Sequence, residues 1–174
     1  MNLTDKLRKI RVVILDVDGT LTDNGVLYGF DNDTAGKRYS TFDGLGIDCL
    51  RKGGLKVGLL TGRNDFANHR RARDCKFDFI KDTVPNKKIG FLELLDELDV
   101  DADECLYMGD DLNDLPAIRR AGVSVAPGNS AKEVKQAVTI IVESCGGHGA
   151  VREMAEILLK AQGKWLDIVK SYDF

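Results

Sequence analysis

The sequence predicts an α/β fold, a doubly wound, Rossmann-like parallel sheet with helices on both faces and a β-hairpin insert after the first strand. Three observations carry this reading. Val12-Val13-Ile14-Leu15 is an apolar run without alternation, as a strand buried on both faces requires. Short apolar runs then alternate with helical stretches along the chain, the pattern of parallel strands joined by crossover helices. Polar residues also gather where several strands should end, and open α/β sheets bind ligands at those ends.

Residues 2–9 read as a short polar helix that feeds the first strand. Two aspartates, Asp16 and Asp18, close that strand and precede Gly19. Residues 25–42 then read as strand, turn and strand, with the turn at 31–36 and aromatic flanks Tyr28, Phe30, Tyr39 and Phe42. The turn resembles a calcium loop only superficially, because Ala35 and Phe42 stand where ligating residues are needed. A helix is expected over 44–52, ended by Gly53-Gly54, and a strand over 56–60. Asn64 is expected to cap a charged helix running to 75. A short strand at 77–80 follows. Pro85 and Asn86 then introduce a helix with Leu92, Leu95 and Leu98 on its repeat. Strands at 104–108, 123–126 and 138–142 are expected, with helices through 120, near 130–137 and over 150–161. Gly163 separates that last helix from an aromatic tail at 163–174.

The 174 residues suit one α/β domain spanning 1–174. With 43% hydrophobic and 30% charged residues, the chain can bury a core and keep a polar surface. A net charge of -3 argues against a nucleic-acid surface. No apolar run approaches membrane-spanning length and no leader segment is expected, which points to a cytoplasmic protein. Cys49, Cys75, Cys105 and Cys145 lack zinc-like spacing and read as reduced, mostly buried thiols. Two histidines exclude a histidine-based metal site, and His148 reads as a loop residue.

Four strand ends offer chemistry: Asp16 and Asp18, then Thr61 and Arg63, then Lys87 just beyond the third, then Asp110, Asp111 and Asp114. Singly, each is weak, since a D-x-D pair is commonly a turn and a lysine commonly a solvated stem. Together, at equivalent places of one sheet, they form a site. A carboxylate can attack phosphorus to give an aspartyl-phosphate, and a second carboxyl can protonate the leaving oxygen and later activate water. Two anions approach each other only if a hard cation with oxygen ligands intervenes, and fixed donors such as Thr61 and Lys87 must hold the phosphoryl group. A lysine at a helix N-terminus opposes the helix dipole, so Lys87 is favoured there if an anion lies beside it. Asp114 also fits an acid that satisfies free amides at a helix start.

Asp16-Val17-Asp18-Gly19-Thr20-Leu21-Thr22, Thr61, Lys87 and Gly109-Asp110-Asp111-Leu112-Asn113-Asp114 resemble, in order, the four motifs of the haloacid dehalogenase superfamily of phosphotransferases. The resemblance implies Asp16 as nucleophile and Asp18 as general acid and base. It implies Mg2+ held by Asp16, the Asp18 backbone carbonyl and Asp110, with Asp111 and Asp114 supporting from behind. Only 25 residues separate Thr61 from Lys87 (62–86), and the interval after Asp18 holds a hairpin and a helix, so no cap domain is expected. That layout, with Thr61-Gly62-Arg63 and Gly146-Gly147-His148-Gly149-Ala150-Val151-Arg152-Glu153, resembles the capless subfamily of 3-deoxy-D-manno-octulosonate (KDO) 8-phosphate phosphatases of lipopolysaccharide synthesis.

The subfamily resemblance implies a small sugar-phosphate substrate and a homotetramer whose hairpins pair about an axis, with neighbours completing each site. It also suggests that the tail reaches a neighbour's site; a docked surface segment or a frayed end is the other reading. Arg63 would read the substrate carboxylate through paired hydrogen bonds, the alternative being a salt bridge to Asp65. A phosphatase for a sialic-acid-type nonulosonate 9-phosphate stays open, and a receiver-type phospho-accepting domain fits the strand order less well. Lys81-Asp82-Thr83 and Asn24 depart from the glycine-containing patterns common in the subfamily.

Overall fold

The computed structural model describes residues 2–31 and 34–172. Strands β1 (Val12–Leu15), β4 (Lys56–Leu60), β5 (Phe79–Lys81), β6 (Cys105–Met108), β7 (Val123–Ala126) and β8 (Ile140–Ile141) form one sheet in the order β5-β4-β1-β6-β7-β8. All five pairings are parallel. The chain leaves β1 toward β4 and β5, then returns to lay β6 on the other side of β1. That reversal opens a crevice at the carboxyl ends of β1, β4 and β6.

Both faces of β1 are covered, which explains its unbroken apolar run. Val13 and Leu15 join a core with α1 (Leu3–Lys9), α2 (Thr41–Lys52), α7 (Ala150–Ala161) and α8 (Trp165–Lys170). Val12 and Ile14 join a second core with α4 (Lys87–Leu98), α5 (Leu115–Ile118) and α6 (Lys132–Ala137). The remaining helix, α3 (Phe66–Asp74), packs beside the first core through Ala72.

The hairpin consists of β2 (Leu27–Asp31) and β3 (Thr34–Gly36), antiparallel and separate from the main sheet. Its second strand is shorter than the sequence suggests. Ser40 accepts a hydrogen bond from the Asp43 amide and starts α2 three residues early, so Phe42 lies in the first helical turn and is 68% exposed. Tyr39 lies outside β3 and pairs in an isolated antiparallel bridge with Thr22. The expected turn residues Asn32 and Asp33, the Phe30 side chain and Phe174 lie outside the described residues.

Two further expectations need correction. Asp65, not Asn64, precedes α3, and Asn64 Oδ1 instead accepts from His69 Nε2 (3.0 Å). On α4 the buried stripe is Lys87, Gly90, Phe91 and Leu94, whereas Leu92 is 45% exposed. The tail forms α8, docked by Ile168 in the core, by Lys164 donating to the Gly53 carbonyl and by Tyr172 donating to Asp48. Cys49 and Cys105 are buried, Cys75 is half-buried and Cys145 is exposed.

Helices α2 and α7 cross closely enough to require glycine. A Cβ on Gly46 would lie 2.8 Å from the Arg152 Cα. Asp43 stitches the same contact, accepting from the amides of Gly149 (3.3 Å) and Arg152 (3.0 Å) and so capping α7. Gly46→Ala should therefore destabilise the fold by about 1–3 kcal/mol, the usual cost of overpacking. Urea denaturation checks this, and an unchanged midpoint would show that the helices can part freely.

Candidate active site

Asp16 follows β1 directly, and its amide donates to the Met108 carbonyl of β6 (2.9 Å), which sets the carboxylate at the crevice. Lys87, the first residue of α4, turns its ammonium into the same space with its side chain 2% exposed. The ammonium lies 2.6 Å from Asp16 Oδ1 and 2.5 Å from Asp114 Oδ1. Burial of a lone ammonium is costly, and two carboxylates offset that cost here.

Asp114 is fully engaged. Besides Lys87, it accepts from Tyr107 Oη (2.6 Å) and from the amides of Asp110 (3.0 Å) and Asp111 (3.2 Å). It thus shapes the loop after β6, as an acid at a helix start would, and also anchors Lys87. Asp111 instead caps the following turn through the Leu112 amide (2.7 Å) and is exposed. Asp110 turns inward, where Thr20 and Asn24 donate to its two oxygens.

Carboxylate oxygens of Asp16, Asp110 and Asp114 lie within 4.8 Å of one another, all buried. An oxygen-only donor set of this kind suits a small hard divalent cation. Gly19 keeps the cradle open: a Cβ there would fall 2.0 Å from Asp110 Oδ2, and its φ of 83° is one that L residues rarely adopt. Since Asp114 is saturated by its four donors, Asp16 and Asp110 are the carboxylates with capacity to bind such an ion.

Asp18 faces outward from this group. Lys37 Nζ lies 2.8 Å from its Oδ1 as an ion pair without good hydrogen-bond geometry, and Arg63 Nε lies 3.5 Å from its Oδ2. Arg63 is 53% exposed and points at Asp18, while Asp65 pairs with Lys37. Thr61 directly follows β4 and is buried, with its hydroxyl accepting from the Arg63 amide (3.3 Å). The structure thus brings Asp16, Asp18, Thr61, Arg63, Lys87, Asp110 and Asp114 to one end of the sheet. Lys37, Asp65 and Asn68 join them without any local sequence signal, because their contacts are long-range. Asn24 and Thr83, at the two departures from glycine patterns, both take left-handed backbone, with φ of 69° and 56°.

Burial pushes the Asp16 carboxyl up to about 7, with Asp114 adding to the rise and Lys87 opposing it. Burial likewise raises Asp110 to about 8, reinforced by Asp16, Asp114 and Asp111. Burial alone would lower Lys87, but Asp16 and Asp114 outweigh it and hold the ammonium above its ordinary value. The folded metal-free protein therefore keeps protons on Asp16 and Asp110 that the unfolded chain has already lost, and it loses stability as pH rises from the ordinary carboxylate range through about 8. A divalent cation displaces those protons, so the rise in Tm on adding magnesium should be larger at about pH 8.5 than at about pH 6. Calorimetry with and without magnesium checks this; an equal rise at both values would show that the carboxyls are already ionised.

The model of the haloacid dehalogenase-like hydrolase family matches residues 77–154. The 3-deoxy-D-manno-octulosonate 8-phosphate phosphatase of Haemophilus influenzae is 38% identical over 162 residues, covering 93% of this chain and 89% of its own length. A crystal structure of the Moraxella catarrhalis phosphatase of that name, in complex with magnesium, phosphate and KDO, superposes with a TM-score of 0.93 at 31% identity, covering 97% of each chain. A cobalt-bound structure of the Haemophilus influenzae phosphatase gives 0.87 at 36% identity, covering 91% of this chain and 92% of its own. The crevice at the sheet switch point, its buried carboxylates and lysine, and this similarity along nearly the whole length agree: the chain belongs to the haloacid dehalogenase-like hydrolases, in the family of the 3-deoxy-D-manno-octulosonate 8-phosphate phosphatases.

Proposed function

We propose that this protein is a magnesium-dependent phosphomonoesterase that converts 3-deoxy-D-manno-octulosonate 8-phosphate to KDO and inorganic phosphate, supplying lipopolysaccharide precursors. The observation that carries the reading is the division between two carboxylates two positions apart. Asp16 is buried against Lys87, whereas Asp18 lies between Lys37 and Arg63 at the open side. One is built to attack and the other to meet the leaving group.

In the first step an Asp16 oxygen forms a bond to phosphorus as the ester P–O bond breaks. The leaving oxygen takes the electron pair and a proton from Asp18. In the second step Asp18 takes a proton from water, the water oxygen bonds to phosphorus, and Asp16 departs as carboxylate. Lys87 and the Thr61 hydroxyl supply fixed donors to the phosphoryl oxygens, and Asp114 with Tyr107 keeps Lys87 in place. Magnesium held by Asp16, the Asp18 backbone carbonyl and Asp110 would neutralise charge between the attacking carboxylate and the phosphoryl group.

Arg63 is the group suited to the substrate carboxylate. Its guanidinium is half-exposed beside Asp18, which supports recognition of an acidic sugar. The names of the relatives and Arg63 together favour the octulosonate ester over a nonulosonate 9-phosphate. The reading treats residues 1–174 as one catalytic domain and extends to a homotetramer in the cytoplasm. Tyr28, 81% exposed, and the exposed Leu27, Phe42 and Phe66 support a face that other subunits cover. Among the described residues no helix is long and apolar enough to cross a membrane.

A steady-state screen of sugar phosphates with magnesium tests the proposal. KDO 8-phosphate should be hydrolysed faster than generic sugar phosphates, and equal rates would remove the substrate assignment while leaving the mechanism. Asp16→Asn should lose at least about 1,000-fold in kcat, the scale on which a covalent nucleophile acts; retained turnover would sink the mechanism. Arg63→Ala should raise KM for the carboxylated substrate about 10-fold or more, as loss of a charge-assisted hydrogen bond does. Equal losses on neutral sugar phosphates would refute that role.

A further inference from the structure

Lys37 lies just past the hairpin, yet its side chain is 0% exposed. Its ammonium has three oxygens around it: Asp18 Oδ1 at 2.8 Å, Asp65 Oδ2 at 2.7 Å and Asn68 Oδ1 at 3.1 Å. Asn68 is itself fully buried, donates to the Arg63 carbonyl (3.2 Å) and accepts from Tyr39 Oη (3.0 Å). Asp65 stands at the N-cap of α3 but makes no capping bond with its side chain. A missing cap costs a helix about 1 kcal/mol, so the carboxylate is held on Lys37 against a local alternative. The network joins three separate segments, the hairpin root, the loop after β4 and the first turns of α3, and it converges on a single carboxyl of the site.

We propose that Lys37 is a positioning residue for proton transfer: it fixes the Asp18 carboxyl where it meets the leaving oxygen in the first step and the attacking water in the second. Asp65 and Asn68 hold the ammonium against Asp18 Oδ1, while Oδ2 lies beside Arg63. The inference rests on the assignment of Asp18 under the proposed function and adds a residue to it. Lys37 itself forms no bond to the phosphoryl group and exchanges no proton with it.

Leaving groups separate this role from simple support of the fold. A sugar alkoxide must be protonated as it departs, whereas p-nitrophenolate leaves without a proton. Lys37→Met should therefore lose about 100-fold or more in kcat on KDO 8-phosphate, the range of general acid–base effects, with a smaller change in KM. On p-nitrophenyl phosphate it should retain a rapid burst of about one nitrophenolate per site, followed by slow turnover, because only the second step there needs Asp18. The double variant Lys37→Met/Asp18→Asn should be no slower than Asp18→Asn alone. Lys37→Gln, which keeps the stem length and one donor, should show the same pattern if Lys37→Met fails to fold. Loss of the burst together with turnover, or losses that multiply in the double variant, would overturn the role of Lys37. If Asp18→Asn itself turned over both esters at the normal rate, the assignment of Asp18 would fail instead.

Discussion

The Lys87 ammonium, buried between Asp16 and Asp114, is the contact on which the crevice depends. Three carboxylates converge where β1 and β6 end, and their mutual repulsion in a medium of low polarity would drive the strand ends apart. One ammonium at the start of α4 offsets part of that repulsion. It also ties three segments that are remote in sequence: the end of β1, the first turn of α4 and the loop after β6. Tyr107 extends the arrangement into the core, since its ring meets Phe91 of α4 edge to face with centroids 6.2 Å apart while its hydroxyl reaches Asp114. Polar site and apolar core share these residues, so neither can be altered without the other.

Charge left uncompensated by Lys87 defines what the crevice accepts. Asp16 and Asp110 remain costly to ionise together, which is the condition under which a compact divalent cation binds strongly and brings an anionic ester with it. A second set of charges lies farther out, with Lys37 and Arg63 facing Asp18 and Asp65. The inner set is short of positive charge and the outer set is balanced. This gradient puts Asp16 and Asp18, two positions apart in the chain, in different electrostatic surroundings.

Much of this was legible in the sequence because it rests on local pattern. The apolar run at 12–15 reads as a strand because both its faces are buried, and α7 spans 150–161 because glycines and Gly163 bound an amphipathic stretch. The acidic motif at 109–114 and the lysine after Asn86 stand out by their place at strand and helix ends. Other features escape because they are decided at a distance. Ser40 caps α2 within a string of residues that suits a strand, so the helix start is hidden. Asp65 stands at the N-cap yet serves Lys37, while Asn64, the cap the sequence suggests, turns to His69. Lys37 lies in the stretch that reads as the second hairpin strand, and Asp18, Asp65 and Asn68, brought from elsewhere, surround its ammonium. Helix α8 is too short and too mixed to show a period, and docking residues on α2 and α7 define it.

The ends of the sheet have a consequence for how copies of the chain can meet. A bare strand edge is a template for further strands, and folded proteins blunt such edges to avoid runaway association. Here β5 has three residues and β8 only two, too few for a stable added strand. On β5, Lys81 also carries a charge, paired with Glu93 and Glu97 of α4, and charged residues are one way edge strands are blunted. Among the described residues, backbone edges outside this sheet belong to the hairpin, whose β2 has five residues and stands clear of the main sheet. Neither edge of the main sheet therefore offers another copy of the chain a template of ordinary strand length.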